Sequence, residues 1–386
     1  MVGSLSHIGF VAAWVCLAVA AAGMVYSLAA ILFVRRFAKR PSPRARSCSA
    51  VTILKPLHGA EPHLYENLSS FCRQDYAGPV QIIFGVQDAA DPAVNVVRQL
   101  MADFADADLE LLIDPRQHGA NRKVANLVNM SAVIRHDTLV IADSDMMVPP
   151  DYLSRVVGAL EEPGVGLATC LYRGASDPGL RARLAAMAID YHFLPSVLVG
   201  LGLGLARPCF GSTMALGRDM LEKIGGFLAF ADHLADDHAI GEAVRRAGAK
   251  VAIPSLIVAH ACPKKKVGEL LHQELRWART IRSVNPLGFF GSLVAHPLPF
   301  ALLAVLLGDF DGFAIAIIGG ILLCRFVLQR EVDLAIEATA SRWRLSLLRD
   351  MMSFLVFVAS FFVTAVSWRG HRYRVHSDGT LSYVRS

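Results

Sequence analysis

The segment "TLVIADSD" ends on two aspartates, Asp143 and Asp145, with one serine between them. In an extended chain, side chains two residues apart project to the same side, so both carboxylates can face one ion. Hard oxygen donors with nothing soft nearby suit Mg2+ or Mn2+ rather than Zn2+. Mg2+ takes one or two carboxylates and fills its other positions with phosphate oxygens and water. Asp145 and Asp143 are therefore candidate metal ligands, with Asp143 also serving a bound diphosphate. The competing reading is a solvated turn ahead of Pro149-Pro150; the strand-like apolar run before the motif favours the metal.

Three further groups carry chemistry. Asp88 closes "FGVQD", where a carboxylate can accept hydrogen bonds from a nucleoside's base or ribose, or merely cap a turn. Asp236 and Asp237 precede the helical pattern "HAIGEAVRRAG". They complement a helix N-terminus, or one is a general base whose pKa its acidic neighbour raises. Lastly, "QELRW" puts Gln273, Arg276 and Trp277 on one helical face. Arg276 can grip phosphate oxygens bidentately, Gln273 can donate to the same group, and Trp277 can stack on a sugar. Because a strongly apolar stretch follows, the alternative is an interfacial helix with its tryptophan at headgroup depth.

These groups need a scaffold, and the texture from about Ala50 to Ser283 supplies one. "AVTILKP", "VQIIFGVQD", "LELLID" and "TLVIADSD" are strand-like, and helix-like stretches alternate with them, near Ala93–Phe104 and in "NRKVANLVNMSAVI" among others. That alternation predicts an α/β domain with a parallel sheet and right-handed crossovers. Ligands of such sheets collect at the strands' carboxyl ends, where Asp88, Asp143 and Asp145 all fall. The apolar, Gly-rich run Phe193–Pro208 is either a buried helix or loop, or a patch on a bilayer.

Outside that region the chain is apolar. Its mean hydropathy is +0.43, and 18% of its 386 residues are charged. Residues 8–34 form an uncharged segment long enough to cross a bilayer, for which roughly 20 residues suffice. The basic linker 35–49 follows it, so the segment is expected to be a retained anchor with the next domain on the cytoplasmic side. Near Phe289–Leu307, Gly312–Leu328 and Met351–Trp368 lie three more apolar candidates within a membrane region 284–369, ahead of a basic tail, 370–386. Pro297 and Pro299 make the first of them a candidate re-entrant segment. The net charge of +5 comes largely from juxtamembrane clusters, which anionic headgroups satisfy without any nucleic acid. Seven cysteines form no C-x-x-C pair, as expected of reduced thiols in packing roles.

In order, a strand-end Asp, a D-x-D, an acidic pair before a helix and Q-x-x-R-W before membrane resemble the inverting, membrane-bound GT-A glycosyltransferases. The ceramide glucosyltransferase-like branch is the most similar, through "VTILKPLHGAEPHLYENLSSFCRQDY", "GVQDAADP", "ADSD", "DDHAIG" and "QELRW". "NRKVANLVNM" further resembles bacterial hopanoid-biosynthesis members, which add N-acetylglucosamine to a bacteriohopanepolyol. The resemblance implies a GT-A domain over 50–283 with transmembrane helices on both sides, in a multi-pass bacterial inner-membrane protein active at the cytoplasmic face. It implies a UDP-sugar donor, UDP-N-acetylglucosamine or UDP-glucose, a membrane lipid acceptor, and Mg2+ or Mn2+. Asp237 falls at the family's base; many relatives have Glu-Asp where this chain has Asp236-Asp237, which leaves Asp236 as a possible auxiliary acid. Lys123 matches a basic position near the donor. A processive polysaccharide synthase shares the motifs but needs a larger bundle of spans, and a non-enzymatic nucleotide- or lipid-binding module would not need every acid.

Overall fold

The structure is a computed structural model that describes residues 2–263, 266–308, 311–338, 342–362, 366–368, 371–375 and 381–383. The chain divides into two compact units. One comprises residues 41–175, 208–263 and 365–386; the other comprises 1–40, 176–207 and 264–364.

Among the described residues, the two larger sheets of the first unit are built on ten strands, β1 (Val51–Pro56), β2 (Val80–Val86), β3 (Asp108–Ile113), β4 (Thr138–Ile141), β5 (Met146–Met147), β6 (Val165–Thr169), β7 (Leu171–Ser176), β8 (Met214–Gly217), β9 (Lys250–Ala252) and β10 (Ile257–Cys262). The main sheet runs β3-β2-β1-β4-β8-β6-β9. All six residues of β1 are buried, as befits a central strand covered on both faces. Ile53 packs with Phe71, Ile82 and Val140 on one face, while Leu54 packs with Val124, Leu127 and Ile141 on the other. Burying each such side chain contributes about 1.5–3 kcal/mol.

The expected parallel sheet holds for β1 to β4. It then departs: β8 runs antiparallel to both β4 and β6. The reversal matters for the site, because Ile141 at the carboxyl end of β4 pairs with Met214 at the start of β8. The loop before β8 is thereby delivered to the edge where the parallel strands end. A second sheet, β5-β10-β7, sets His260 opposite Met146. A small antiparallel sheet joins Val366–Trp368, at the end of the expected membrane region, to His371–Val375 and Leu381–Tyr383 of the expected basic tail.

The second unit is helical. Its first helix, Val2–Ala38, continues past the expected end of the anchor and takes in Arg35 and Arg36. The guanidinium groups of Arg36 and Arg40 fold back over Phe33 and Phe37, keeping an apolar stem and a charged head at the boundary. Among the described residues, two helical stretches are long and apolar enough to cross a membrane, Gly9–Ala38 and Leu180–Gly202. The second absorbs most of the apolar run Phe193–Pro208, and a π-helical turn at Ile189–Phe193 interrupts it. Helices Pro286–Ala295 and Pro297–Leu307 form a pair bent by 66°, at the prolines that suggested a re-entrant segment. A side chain at Gly23 would strike Pro297 and the Val294 carbonyl, so the first helix meets this bend backbone to backbone. Of the two later apolar candidates, the first lies in the continuous helix Asp311–Ala335; of Met351–Trp368, the stretch to Ala359 belongs to the helix Ser346–Ala359. Asp309, Phe310, Arg369 and Gly370 lie outside the described residues.

Candidate active site

Asp143 lies two residues beyond Ile141, the end of β4. The chain turns at Ser144-Asp145 instead of staying extended, so the strand alternation expected to align the two carboxylates does not apply. Each aspartate has its own cation. Asp143 Oδ1 lies 2.7 Å from Lys123 Nζ, and Asp145 Oδ2 lies 3.2 Å from His260 Nε2. The β5–β10 pairing produces the second contact, through Ala261 N–H donating to the Asp145 carbonyl at 2.9 Å.

Lys123 is positioned by the start of its helix, Arg122–Met130. Asn121 Oδ1 accepts from the N–H groups of Lys123 and Val124, at 3.0 and 3.2 Å. Such a cap stabilises a helix by about 1 kcal/mol. The Asn121 amide donates to the His233 carbonyl at 2.8 Å and reaches Asp236 Oδ1 at 3.4 Å. Lys123 Nζ stands 3.3 Å from Asp236 Oδ2. Burial works against its charge, but Asp143, Asp236 and Asp237 outweigh that and hold its pKa above the usual lysine range.

Asp236 and Asp237 open the helix Asp236–Arg246, whose last turn carries Arg245 and Arg246, a charge order that complements the helix dipole. Their environments differ. Asp236 is 6% exposed and bound to Lys123 and Asn121. Asp237 is half-buried and accepts from two backbone donors, Gly211 N–H at 2.8 Å and His238 N–H at 2.7 Å. Burial, helped by the Asp236 charge, raises the Asp237 pKa to about 6. That is a good value for a carboxylate that must take a proton near neutral pH.

Gly211 lies in the loop delivered by antiparallel β8. A side chain there would meet Asp143 Oδ2 and Lys123 Nζ, each 2.9 Å from its Cβ. Its carbonyl accepts from Asp143 N–H at 3.3 Å. One glycine therefore touches the D-x-D aspartate, the lysine and Asp237, which the sequence separates widely.

A hard divalent ion fits these donors. Asp145 Oδ1 is buried and accepts no hydrogen bond, an orphaned acceptor that costs free energy unless a cation or donor meets it. Among the described residues, no three His, Cys, Asp or Glu side chains gather as a metal cage. A bound ion would thus complete its shell with phosphate oxygens and water. Burial disfavours the Asp145 charge, but His260 more than compensates and the pKa is held near 2. The same contact raises His260 well above its ordinary value, against burial.

Asp88 is exposed just beyond the carboxyl end of β2, with Oδ1 accepting from Ala90 N–H at 2.9 Å. Its neighbour Asp91 is the buried one, holding the Gly59 N–H at 2.9 and 3.0 Å. Gln273, Arg276 and Trp277 lie half-buried on the helix Val267–Val284 of the second unit.

Three residues of the site went unnoticed in the sequence: His260, Gly211 and Lys55. Lys55 is fully buried in β1, donates to the Asp143 carbonyl at 2.5 Å and lies 3.8 Å over the Phe71 ring. Burial lowers its pKa to about 7, with Asp143 and Asp145 opposing. The available signal was a lone ammonium in an otherwise apolar strand, "VTILKP".

A sequence model described as glycosyl transferase family 21 matches residues 15–381. Ceramide glucosyltransferase 1 of Caenorhabditis elegans is 21% identical over 380 residues, covering 95% of this chain and 80% of that protein. An N-acetylglucosaminyltransferase of Rhizobium leguminosarum bv. viciae is 25% identical over 340 residues, covering 85% and 76%. Among solved structures, a mannosyltransferase from Pyrobaculum calidifontis, in complex with GDP-Man and Mn2+, superposes with a TM-score of 0.53. It is 20% identical, covers 91% of this chain and 99% of its own, and places the fold among GT-A enzymes.

Proposed function

This chain belongs to glycosyl transferase family 21, and on that footing we propose that it transfers one N-acetylglucosamine from UDP to a hydroxyl of a membrane polyol lipid. The acceptor we infer is a bacteriohopanepolyol at the cytoplasmic face of a bacterial inner membrane. Residues 8–34 anchor the chain through the basic linker 35–49, 50–283 carries out the transfer, and 284–369 completes a multi-pass membrane region before the tail 370–386.

One observation carries the reading: Lys123 bridges the D-x-D aspartate Asp143 and the acidic pair that holds Asp237. In the mechanism, Asp88 accepts hydrogen bonds from the nucleoside. Asp143 and Asp145 would hold a divalent ion, Mg2+ or Mn2+, which would supply positive charge to the diphosphate. Lys123 adds a fixed ammonium beside it. Asp237 takes the proton from the acceptor hydroxyl as that oxygen bonds to the anomeric carbon. The anomeric carbon–oxygen bond to UDP breaks on the opposite side, inverting the centre and releasing UDP with its electron pair. Asp236, tied to Lys123, raises the basicity of its neighbour. On motif chemistry, Arg276 offsets the charge of the departing diphosphate, a contribution of the kind that dominates many enzymes, while Gln273 donates a hydrogen bond to the same group and Trp277 covers the sugar.

The name of one relative, a ceramide glucosyltransferase, supports a lipid acceptor, and that of another supports N-acetylglucosamine. The same names support a second reading, glucose transfer to ceramide or another one-hydroxyl lipid headgroup. The test is transfer from labelled UDP-N-acetylglucosamine or UDP-glucose by purified protein into lipid extract. One labelled glycolipid is expected, lost in EDTA and restored by Mg2+ or Mn2+. A labelled polymer would mean a processive synthase. No transfer from either donor would leave only a binding module.

A further inference from the structure

The Q-x-x-R-W helix carries a residue that the motif does not count. Glu274, between Gln273 and Arg276, is almost fully buried with Arg349 of the helix Ser346–Ala359. The two meet through parallel bonds, Arg349 Nη1 to Glu274 Oε1 at 2.7 Å and Nη2 to Oε2 at 2.6 Å. Arg349 is itself fixed. Nη1 also donates to the Leu184 carbonyl at 3.2 Å, and Nε and Nη2 donate to Ser353 Oγ at 3.0 and 2.9 Å. These contacts employ all five guanidinium N–H groups. The socket therefore ties three helices of one unit together: Val267–Val284, Ser346–Ala359 and, through Leu184, Leu180–Ala188.

A purely stabilising role is a poor account of this arrangement. Apolar residues of similar volume in place of a buried ion pair commonly leave stability unchanged or raise it. Apolar packing does not fix direction, whereas a planar bidentate pair fixes both distance and plane. Glu274 lies about 100° around the helix from Gln273 and about 160° from Arg276, though only about 60° from Trp277, so the pair grips the helix on the side away from Arg276. Near the helix surface, about 6 Å from the axis, a 10° rotation moves a side chain by ~1 Å. Misplacement on that scale can cost up to about a hundredfold in rate.

We propose that Glu274 and Arg349 are positioning residues, which set the rotation of the Q-x-x-R-W helix within its unit and thereby aim Arg276. The inference rests on the assignment of Arg276 to the leaving diphosphate. Neither residue touches the donor in this scheme; both act through the helix.

The decisive variant is the apolar pair Glu274→Leu with Arg349→Met. We expect its thermal midpoint to stay at or above that of the unmodified protein while kcat falls at least about tenfold, more than any change in donor KM. Arg349→Lys, which keeps the charge but not the fork, should fold and lose turnover by a smaller factor. An apolar pair with unchanged kcat overturns the proposal. If that pair does not fold, folded Arg349→Lys with unchanged kcat overturns it instead. Adding the apolar pair to Arg276→Ala separates the two assignments. Little further loss there means that the pair acts through Arg276; the full additional loss means that it does not, and sinks the inference. Full turnover by Arg276→Ala alone identifies the leaving-group assignment as the one at fault.

Discussion

Lys123 Nζ stands 2.7 Å from Asp143 Oδ1 and, at 3.3 Å from Asp236, joins the D-x-D motif to the acidic pair beside the proposed base. An ammonium so placed offsets the repulsion of acids gathered in one pocket. Lys123→Met should therefore destabilise the fold and weaken donor binding together. The lysine is nearly buried while Asp143 keeps about a third of its side chain exposed. The stability loss should accordingly fall below the roughly 3–5 kcal/mol of breaking a fully buried pair. Donor KM should rise at least about tenfold, with Lys123→Arg intermediate. A folded Lys123→Met protein with unaltered donor KM would remove this lysine from the donor site.

The acidic neighbours make a sharper case. With its pKa raised to about 6, Asp237 accepts a proton only in its ionised form. As pH falls through 6, kcat/KM should drop, approaching tenfold per unit; above that value this limb should be flat. Asp237→Asn should still bind UDP but lose about 10²–10⁴ in turnover, the scale of general-base catalysis, and lose the acid limb with it. Asp236→Asn, which removes a charge bound to Lys123, should be milder in kcat. The reverse ranking would move the base to Asp236.

Much of this unit was legible because its strands and helices obey local rules. "TILKP", "QIIFGV" and "TLVI" are apolar runs of strand length, and Asn121 and the acids at 236 and 237 mark helix starts. The sequence hid what depends on pairing between distant segments. No local pattern says that β8 reverses direction, so Gly211 could not be placed beside Asp143 and Asp237. His260 reaches Asp145 because β10 pairs with the two-residue strand β5, too short to leave a signal. The turn at Ser144-Asp145 overrode the alternation rule that suggested one shared face for the carboxylates. Hydropathy marked Met351–Trp368 as apolar, but it could not show that the helix stops at Ala359.

Orientation can be tested without engineering. Of seven free cysteines, Cys48 is the exposed one, and it lies in the basic linker 35–49 that should stay cytoplasmic. A membrane-impermeant thiol reagent should leave Cys48 unlabelled in intact cells and label it after lysis, with Cys48→Ser as the control. Mass spectrometry of the linker peptide gives the readout. Labelling of Cys48 in intact cells would reverse the proposed topology and separate the site from cytosolic nucleotide sugars.

The acceptor is the finest part of the proposal. A base at Asp237 and the acids around Lys123 can serve any lipid hydroxyl, so chemistry alone does not choose among headgroups. What favours a polyhydroxylated hopanoid is the likeness of Asn121–Met130 to the hopanoid-biosynthesis members. That segment caps and carries Lys123, which the proposed mechanism puts on the donor side of the site. The same segment could therefore serve a glucosyl donor and a ceramide, and the two acceptors must be separated in the host. Deleting the gene should abolish a glycosylated hopanoid and accumulate its free polyol, with sphingolipids unchanged in the same extracts by mass spectrometry. Restoring the intact gene should reverse both changes, whereas the Asp237→Asn gene should restore neither. Unaltered hopanoids, with loss of a glycosylceramide or glycosyl-diacylglycerol, would discard the hopanoid acceptor and leave the transferase chemistry standing.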